Sequence, residues 1–432
     1  MIRRYAIVGT GSRHEMYRDA ITGAYADVAS LVGLCDVNIG RARLSAGRIA
    51  EQGNGHVPVF HAGQFDAMLE ETHPDSVIVT TKDSLHHVYS CRAMELGCDV
   101  ITEKPMTISA EQCAAVLQTQ KKTKRNLRVS FNYRYSPPRT QIKHLLNNDV
   151  VGDVLSVDFH WMLDTRHGAD YFRRWHRNKE NSGGLLVHKA AHHFDLVNWW
   201  LDTRPKTVYA TGKRAFYVPG TGERLGLHRR SERCHDCPEN TACPFFLSLA
   251  DNESLKRLYL NQEAYDGYYR DRCVFSDAID IEDSMALTVS YFNGVQMSYS
   301  LNAFMPWEGY VIVFNGTRGR LEHKCEESVC INADGTVPGA LKKEGTWIRV
   351  YPHAAPAYEV PVWEASGGHG GGDELLLQDI FRPGSVQDDY GRVANHDAGT
   401  WSIITGIAAN QSIRTGMPVQ TAALAPLLAD RL

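Results

Sequence analysis

The chain has 432 residues, more than one hydrophobic core usually serves, so two domains are expected. A formal net charge of −4 leaves no electrostatic footprint for nucleic acid or for an anionic membrane surface. No apolar run approaches the roughly 20 residues of a membrane span. Met1 to Arg4 runs straight into an apolar strand, without room for a secretory signal, and most of the cysteines are scattered singly, so a cytoplasmic protein is expected.

Tyr5–Val8 (YAIV) reads as a short buried strand, followed by Gly9-Thr10-Gly11-Ser12-Arg13 and a segment of helical character. A strand, a glycine turn and a helix open a dinucleotide-binding unit. The glycines let backbone N–H groups approach a pyrophosphate at the helix N-terminus. The fingerprint is incomplete, since His14 stands where G-x-G-x-x-G has its third glycine. Ser30–Asn38 is a second apolar strand carrying Asp36. An acid about twenty residues or so beyond the glycines suits a ribose 2′-OH and favours NAD over NADP. Arg41 and Arg43 follow closely and could instead meet a 2′-phosphate.

Ser76–Thr80 (SVIVT) reads as a buried parallel strand with Thr81-Lys82-Asp83 as its exit loop, and the next helix carries His86 and His87. Asp99–Thr102 is a further strand and delivers Glu103-Lys104-Pro105 to its carboxyl end. Ligands of open α/β sheets bind at those ends. Lys104 is therefore either directed at the cofactor crevice or a plain strand-end lysine. Leu127–Phe131 closes the unit, and Asn132-Tyr133-Arg134-Tyr135 leaves it.

Asp164–Asn181 reads as a loop dense in Arg173, Arg174, Trp175, His176 and Arg177. It is a solvated basic loop or a substrate wall, with Trp stacking on a sugar face and Arg forks gripping hydroxyls or an anionic group. Gly183–Asp195 (GGLLVHKAAHHFD) then places two glycines ahead of a helix. At roughly 100° per residue, Val187, Ala190, Ala191, Phe194 and Leu201 share an apolar face. His188, His192, Asp195 and Trp199 form another stripe, flanked by Lys189 and His193. Three readings stand: histidines satisfied against a core, a metal site from His188, His192 and Asp195, or proton transfer near neutral pH.

From Val208 the composition shifts into an excursion, with an insertion at about 213–280. Cys234, Cys237, Cys243 and Cys273 give C-x2-C-x5-C and a distant fourth cysteine, the pattern of a structural zinc knuckle. Unligated thiols and an iron–sulfur cluster are the alternatives, and His228 and His235 are spare ligands. Ala286–Tyr299 reads as strand, Asn-Gly turn and strand, continued by Tyr310–Phe314 and Gly319–Glu322. Gly367-Gly368-His369-Gly370-Gly371-Gly372-Asp373 precedes an amphipathic helix for which Asp373 is a suitable N-cap. The run is a flexible linker or a close backbone approach that brings His369 to the active site.

The ordered set of GxG, strand-end acid, His86, Glu103-Lys104-Pro105, Asn132-Tyr133-Arg134 and a GG-helix ending in His192-x-x-Asp195 resembles the glucose–fructose oxidoreductase/inositol dehydrogenase (Gfo/Idh/MocA) family. Gly406–Gly416 is similar to the family's closing helix. The resemblance implies an α/β chain: a Rossmann NAD-binding domain (1–133), then an α+β substrate domain (134–432) with a large, mostly antiparallel open sheet. That sheet often mediates homo-oligomers, here a dimer or tetramer. It implies that Lys104 polarises the reacting oxygen and that His192 is the acid/base; His188 or Lys189 is expected to tune that base or relay its proton. The expected NAD contacts are Gly9, Gly11, Ser12, Arg13, Asp36, Thr80, Thr81, His86, Glu103, Lys104 and Asn132. The expected substrate contacts are Tyr133, Arg174, Trp175, Arg177, His193 and His369. One departure stands out: the family commonly has an aspartate where this chain has His188. A base there lowers the pKa of His192 rather than raising it.

The expected activity is NAD-dependent hydride removal from a secondary hydroxyl of a sugar or glycoside, at ring C3. The alternatives are redox-neutral glycoside cleavage by oxidation, elimination, hydration and reduction, and a non-catalytic nucleotide- or sugar-binding protein.

Overall fold

The computed structural model describes residues 2–329, 339–385 and 387–429. Strands β1 (Arg3–Val8), β2 (Ala29–Asp36), β3 (Val59–His61), β4 (Ser76–Val79), β5 (Asp99–Thr102) and β6 (Leu127–Val129) form one parallel sheet. Their spatial order is β3-β2-β1-β4-β5-β6. β4 is buried at every residue, as a parallel strand covered by crossover helices on both faces must be. The strand order reverses between β1 and β4, which opens a crevice beyond their carboxyl ends. Gly9 sits there at φ +92°, and a Cβ on it would lie 2.7 Å from the carbonyl of Thr80 and the amide nitrogen of Thr81. Only glycine permits that approach. The last strand stops at Val129, short of the expected Phe131, because the chain then turns into a 3-10 helix at Asn132–Tyr135.

The second sheet contains β7 (Val154–Asp164), β8 (Pro205–Lys213), β9 (Ser284–Tyr291), β10 (Gln296–Met305), β11 (Glu308–Gly316), β12 (Gly319–Glu327), β13 (Trp347–Pro352), β14 (Tyr358–Val360) and β15 (Val419–Gln420). Their order is β14-β13-β12-β11-β7-β10-β9-β8-β15, and among the described residues β7 with β10 is the one parallel pair of this sheet. Alternate residues face inward: Val157, Phe159, Trp161 and Leu163 of β7, and Met297, Tyr299, Leu301 and Ala303 of β10, are all buried. Phe194 and Val197 of the helix Ala191–Trp200, and Ala408 and Ala409 of the helix His396–Thr415, join this core. The closing helix also reaches the first unit, where Trp401 and Ile404 cluster with Leu117.

Two stretches differ from the sequence expectation. Asp164–Asn181 is ordered: the helix Thr165–Arg173, a 3-10 turn at Trp175–Arg177 and the helical turn Lys179–Ser182. The helix expected after Gly183-Gly184 is broken into Leu185–His188 and Ala191–Trp200. Among the described residues no helix is long and apolar enough to cross a membrane.

Candidate active site

A cavity of about 940 Å³ runs from the Gly9–Arg13 turn, across the carboxyl ends of β4 and β5, to the face of the second sheet. At the nucleotide end, a Cβ on Gly11 would meet nothing within 4 Å, so open space lies beside the turn. Asp36 accepts hydrogen bonds from the amide and hydroxyl of Thr10 and from the amide of Asn38 at 2.7 Å. Arg41 is buried, and its guanidinium lies 3.4 Å from Asp36 and 2.5 Å from Asp266, whereas Arg43 is exposed. His14 packs into the place of the missing third glycine and pairs with Ser45 Oγ at 2.7 Å. Glu103 accepts from Arg13 (2.6 Å) and from the Tyr17 hydroxyl (2.8 Å). His86 lies 2.8 Å from the Pro105 carbonyl and 3.1 Å from that of Thr81, which ties the β4 and β5 exits together. These residues fit a dinucleotide: a glycine turn with free space beside it, a strand-end acid, and an arginine already neutralised.

At the other end, Lys104, His188, Lys189 and His192 all reach the cavity wall. Lys189 precedes His192 by three residues, so helical spacing sets the two on neighbouring faces, and both are buried. Lys104 Nζ donates to the His188 carbonyl at 3.4 Å. Burial pushes its pKa down to about 8, against the opposing pull of Asp83 and Glu103. His188 Nδ1 and Asp83 share a 2.5 Å hydrogen bond. Burial raises the carboxyl and lowers the imidazole. The His192 ring stacks on Tyr133 at 4.3 Å, and its Nδ1 is buried without a protein partner. Burial, followed by the Lys104 and Lys189 charges, holds His192 well below the usual histidine range, in its proton-accepting form. Lys189 Nζ lies 4.5 Å from the centre of the Trp161 ring and 3.7 Å from Glu308.

Tyr133, Arg174, Trp175 and His369 line the same space. Arg174 pairs with Asp170 at 3.2 Å. His369 Nδ1 meets Asp373 at 2.7 Å, and the same carboxylate accepts from Asn132 at 2.7 Å. Asp373 thus spends its oxygens on side chains and is not the N-cap that the sequence suggested.

The structure does not bring every expected residue to the cavity. His193 lies off the wall, stacked on Trp161 at 4.0 Å with Nδ1 2.7 Å from the Tyr299 hydroxyl, because it is one residue around the helix from His192. Arg177 is buried and also off the wall. Asp195 is held by a two-pronged pair with Arg134 (2.6 and 2.7 Å), which takes it out of any metal set with the histidines. Cys234, Cys237, Cys243 and Cys273 line one small separate cavity. Among the described residues, however, no group of three or more His, Cys, Asp or Glu is placed to hold a metal ion. The expected zinc therefore finds no support in the geometry.

Sequence reasoning missed Asp83, Glu308 and the Tyr259–Tyr268 part of the insertion. Asp83 had a usable signal, its place at the carboxyl end of a parallel strand. Glu308 and the insertion had none, since long-range packing alone brings them in.

Two family models match the chain: "Oxidoreductase family, NAD-binding Rossmann fold" over residues 3–131, and "Oxidoreductase family, C-terminal alpha/beta domain" over residues 143–421. The chain is 34% identical over 435 residues to YteT of Bacillus subtilis strain 168, an oxidoreductase by name, with 97% of each chain covered. It is 28% identical to the D-glucoside 3-dehydrogenase of Escherichia coli K12, over 52% of this chain and 60% of that protein. It is 26% identical to glycosyl hydrolase family 109 protein 1 of Akkermansia muciniphila, over 43% and 40%. Among solved structures, the WlbA dehydrogenase of Bordetella pertussis, in complex with NADH and UDP-GlcNAcA, shares the fold at TM-score 0.64 and 17% identity, over 97% of this chain and 99% of that one. The glycine turn, the strand-end lysine and the sheet that backs them thus belong together: the chain is a member of the Gfo/Idh/MocA oxidoreductase family, with an NAD-binding Rossmann domain ahead of a mixed, mostly antiparallel second sheet.

Proposed function

We propose that the protein is an NAD-dependent oxidoreductase that removes a hydride from a secondary hydroxyl of a sugar or glycoside, at ring C3. The observation that carries this reading is the convergence of Lys104, His188, Lys189 and His192 on one cavity continuous with the nucleotide crevice. The Gly9–Arg13 turn, Asp36, Thr80, Thr81, His86, Glu103 and Asn132 would hold the dinucleotide. When bound, its nicotinamide supplies the hydride acceptor. His192, kept neutral by burial and by two ammonium groups, takes the hydroxyl proton. Lys104 donates to the same oxygen and stabilises its developing charge. Tyr133 fixes the His192 ring by stacking, while Trp175, Arg174 and His369 form the sugar-facing wall. The outward face of the second sheet is the surface assigned to a homo-oligomer.

A second reading, redox-neutral glycoside cleavage, draws on the further proton-handling pairs in the cavity, His188–Asp83, Lys189–Glu308 and His369–Asp373. Oxidation at C3 acidifies the C2–H, loss of that proton expels the C1 substituent, water adds across C1–C2, and the hydride returns to C3. Those extra transfers need acid/base groups that a simple dehydrogenase does not.

The test is a panel of pyranosides assayed for both nicotinamide absorbance and released aglycone, with Lys104→Ala, His192→Ala and the double variant. Lys104→Ala should lower kcat by about 10² and His192→Ala by about 10²–10⁴. If both act on one oxygen, the double variant loses much less than the product of the single losses. Multiplicative losses would break the assignment. Net reduced cofactor selects the first reading, and aglycone release without it selects the second.

A further inference from the structure

The insertion does not stand apart from the nucleotide domain. Its small core of Leu249, Leu255, Leu258 and Tyr259 takes in Leu44 from the helix Ile39–Glu51, which follows the strand-end acid. Asn38, at the start of that helix, donates to the Gln262 carbonyl at 2.9 Å. A Cβ on Gly40 would lie 2.1 Å from Gln262 Oε1 and 2.6 Å from the Tyr265 ring, so the two segments are in van der Waals contact. The Ser12 amide, in the glycine turn, donates to the Tyr259 hydroxyl at 3.3 Å. Tyr259, Asp266 and Tyr268 form part of the wall of the main cavity, at its nucleotide end.

The charge arrangement at this junction is specific. Arg41 is the basic side chain nearest Asp36 that could receive a 2′-phosphate, yet it is buried between two carboxylates, Asp36 at 3.4 Å and Asp266 at 2.5 Å. A 2′-phosphate carrying nearly two negative charges would find the guanidinium already paired and two carboxylates facing it. A 2′-hydroxyl brings no charge and meets no such penalty.

We infer that the cysteine-rich insertion is the outer wall of the dinucleotide site, and that its Asp266, by engaging Arg41, makes the site prefer NAD over NADP. The inference rests on the nucleotide-binding domain and not on the substrate assignment, and the wild-type NAD affinity reports on that domain separately.

Calorimetric titration of the full-length chain with NAD⁺ and NADP⁺ tests it directly. In Asp266→Asn the freed guanidinium becomes available to a phosphate. NADP⁺ affinity should rise about tenfold or more relative to NAD⁺ affinity, the scale of one hydrogen bond gained to a charged group. Adding Arg41→Ala should abolish the gain. An unmoved NAD⁺/NADP⁺ ratio, or an equal fall in both affinities, would overturn the inference and leave Asp266 a structural residue. Should Asp266→Asn fail to fold, Arg41→Gln asks the same question from the other side. By leaving both carboxylates unneutralised it must widen the preference for NAD⁺, and a narrowed preference would refute the proposal.

Discussion

Gly372→Ala places a methyl group where the structure has no room. The new Cβ would lie 2.2 Å from the Asn132 carbonyl oxygen, 3.1 Å from its carbon and 3.2 Å from the Ser136 nitrogen. All three are backbone atoms of one tight turn and cannot rotate aside. Helix propensity alone would favour alanine by about 0.5–1 kcal/mol, but overpacking against rigid atoms costs about 1–3 kcal/mol. The expected net loss is about 1–2 kcal/mol, or a fall in Tm of roughly 2–8 °C for a domain of this size. The displaced turn carries Tyr133, which stacks on His192, and Arg134, which pairs with Asp195. Activity should therefore fall further than stability, by about tenfold or more in kcat/KM, as small misplacements of a reacting group do. Gly47→Ala is the internal control: it is exposed in a helix, and its added Cβ meets nothing within 4 Å. It should raise Tm slightly. Thermal denaturation of both variants beside steady-state kinetics decides the matter. A Gly372→Ala protein as stable and active as the wild type would refute the close approach and the positioning role of the Asn132–Tyr135 turn.

His323 is fully buried, and burial pushes its pKa from 6.5 down to about 4. A histidine held neutral binds fewer protons folded than unfolded, so its stabilising contribution is complete above about pH 6.5 and is lost as the pH falls towards 4. Between pH 7 and 5 that amounts to about 2 kcal/mol, and the fall in urea-derived stability over this interval should be smaller by about that amount in His323→Gln. His188→Asp should abolish activity and lower Tm rather than restore the commoner family pattern, because it buries a second carboxylate beside Asp83. Near-wild-type activity in that variant would show that the His188–Asp83 contact is dispensable.

What could be read from the sequence followed from local rules. The strand–turn–helix at the start is contiguous, Lys104 sits at a strand end where parallel sheets bind ligands, and of the two readings of the glycine run before Glu374 the structure shows the close approach, at Asn132–Ser136. What could not be read depends on long-range packing. Helical spacing already sets His188, Lys189 and His192 on neighbouring faces, but that those faces meet a cavity follows from how this segment packs between the two sheets, which no spacing rule predicts. His193 was misjudged for the same reason: adjacency in sequence to His192 means a turn of about 100° around the helix, and that direction leads into the Trp161–Tyr299 core. The Cys-rich insertion looked like a metal module from its spacing alone, while its contacts across to Asn38, Gly40 and Arg41 left no trace in the pattern.

The His188 position shows why a motif departure is not by itself a change of chemistry. Where the resemblance leads one to expect a carboxylate near His192, the chain has an imidazole, and a carboxylate arrives from the β4 exit loop, 105 residues earlier. Asp83 and His188 both line the cavity, so an acid and a base are still present there. The exchange alters the local field, however. A carboxylate at position 188 would act directly on His192, whereas Asp83 is taken up by its hydrogen bond to His188. His192 is then left facing two ammonium groups with no acid of its own and a buried, unpartnered Nδ1. That combination favours a ring that accepts a proton over one that stores it.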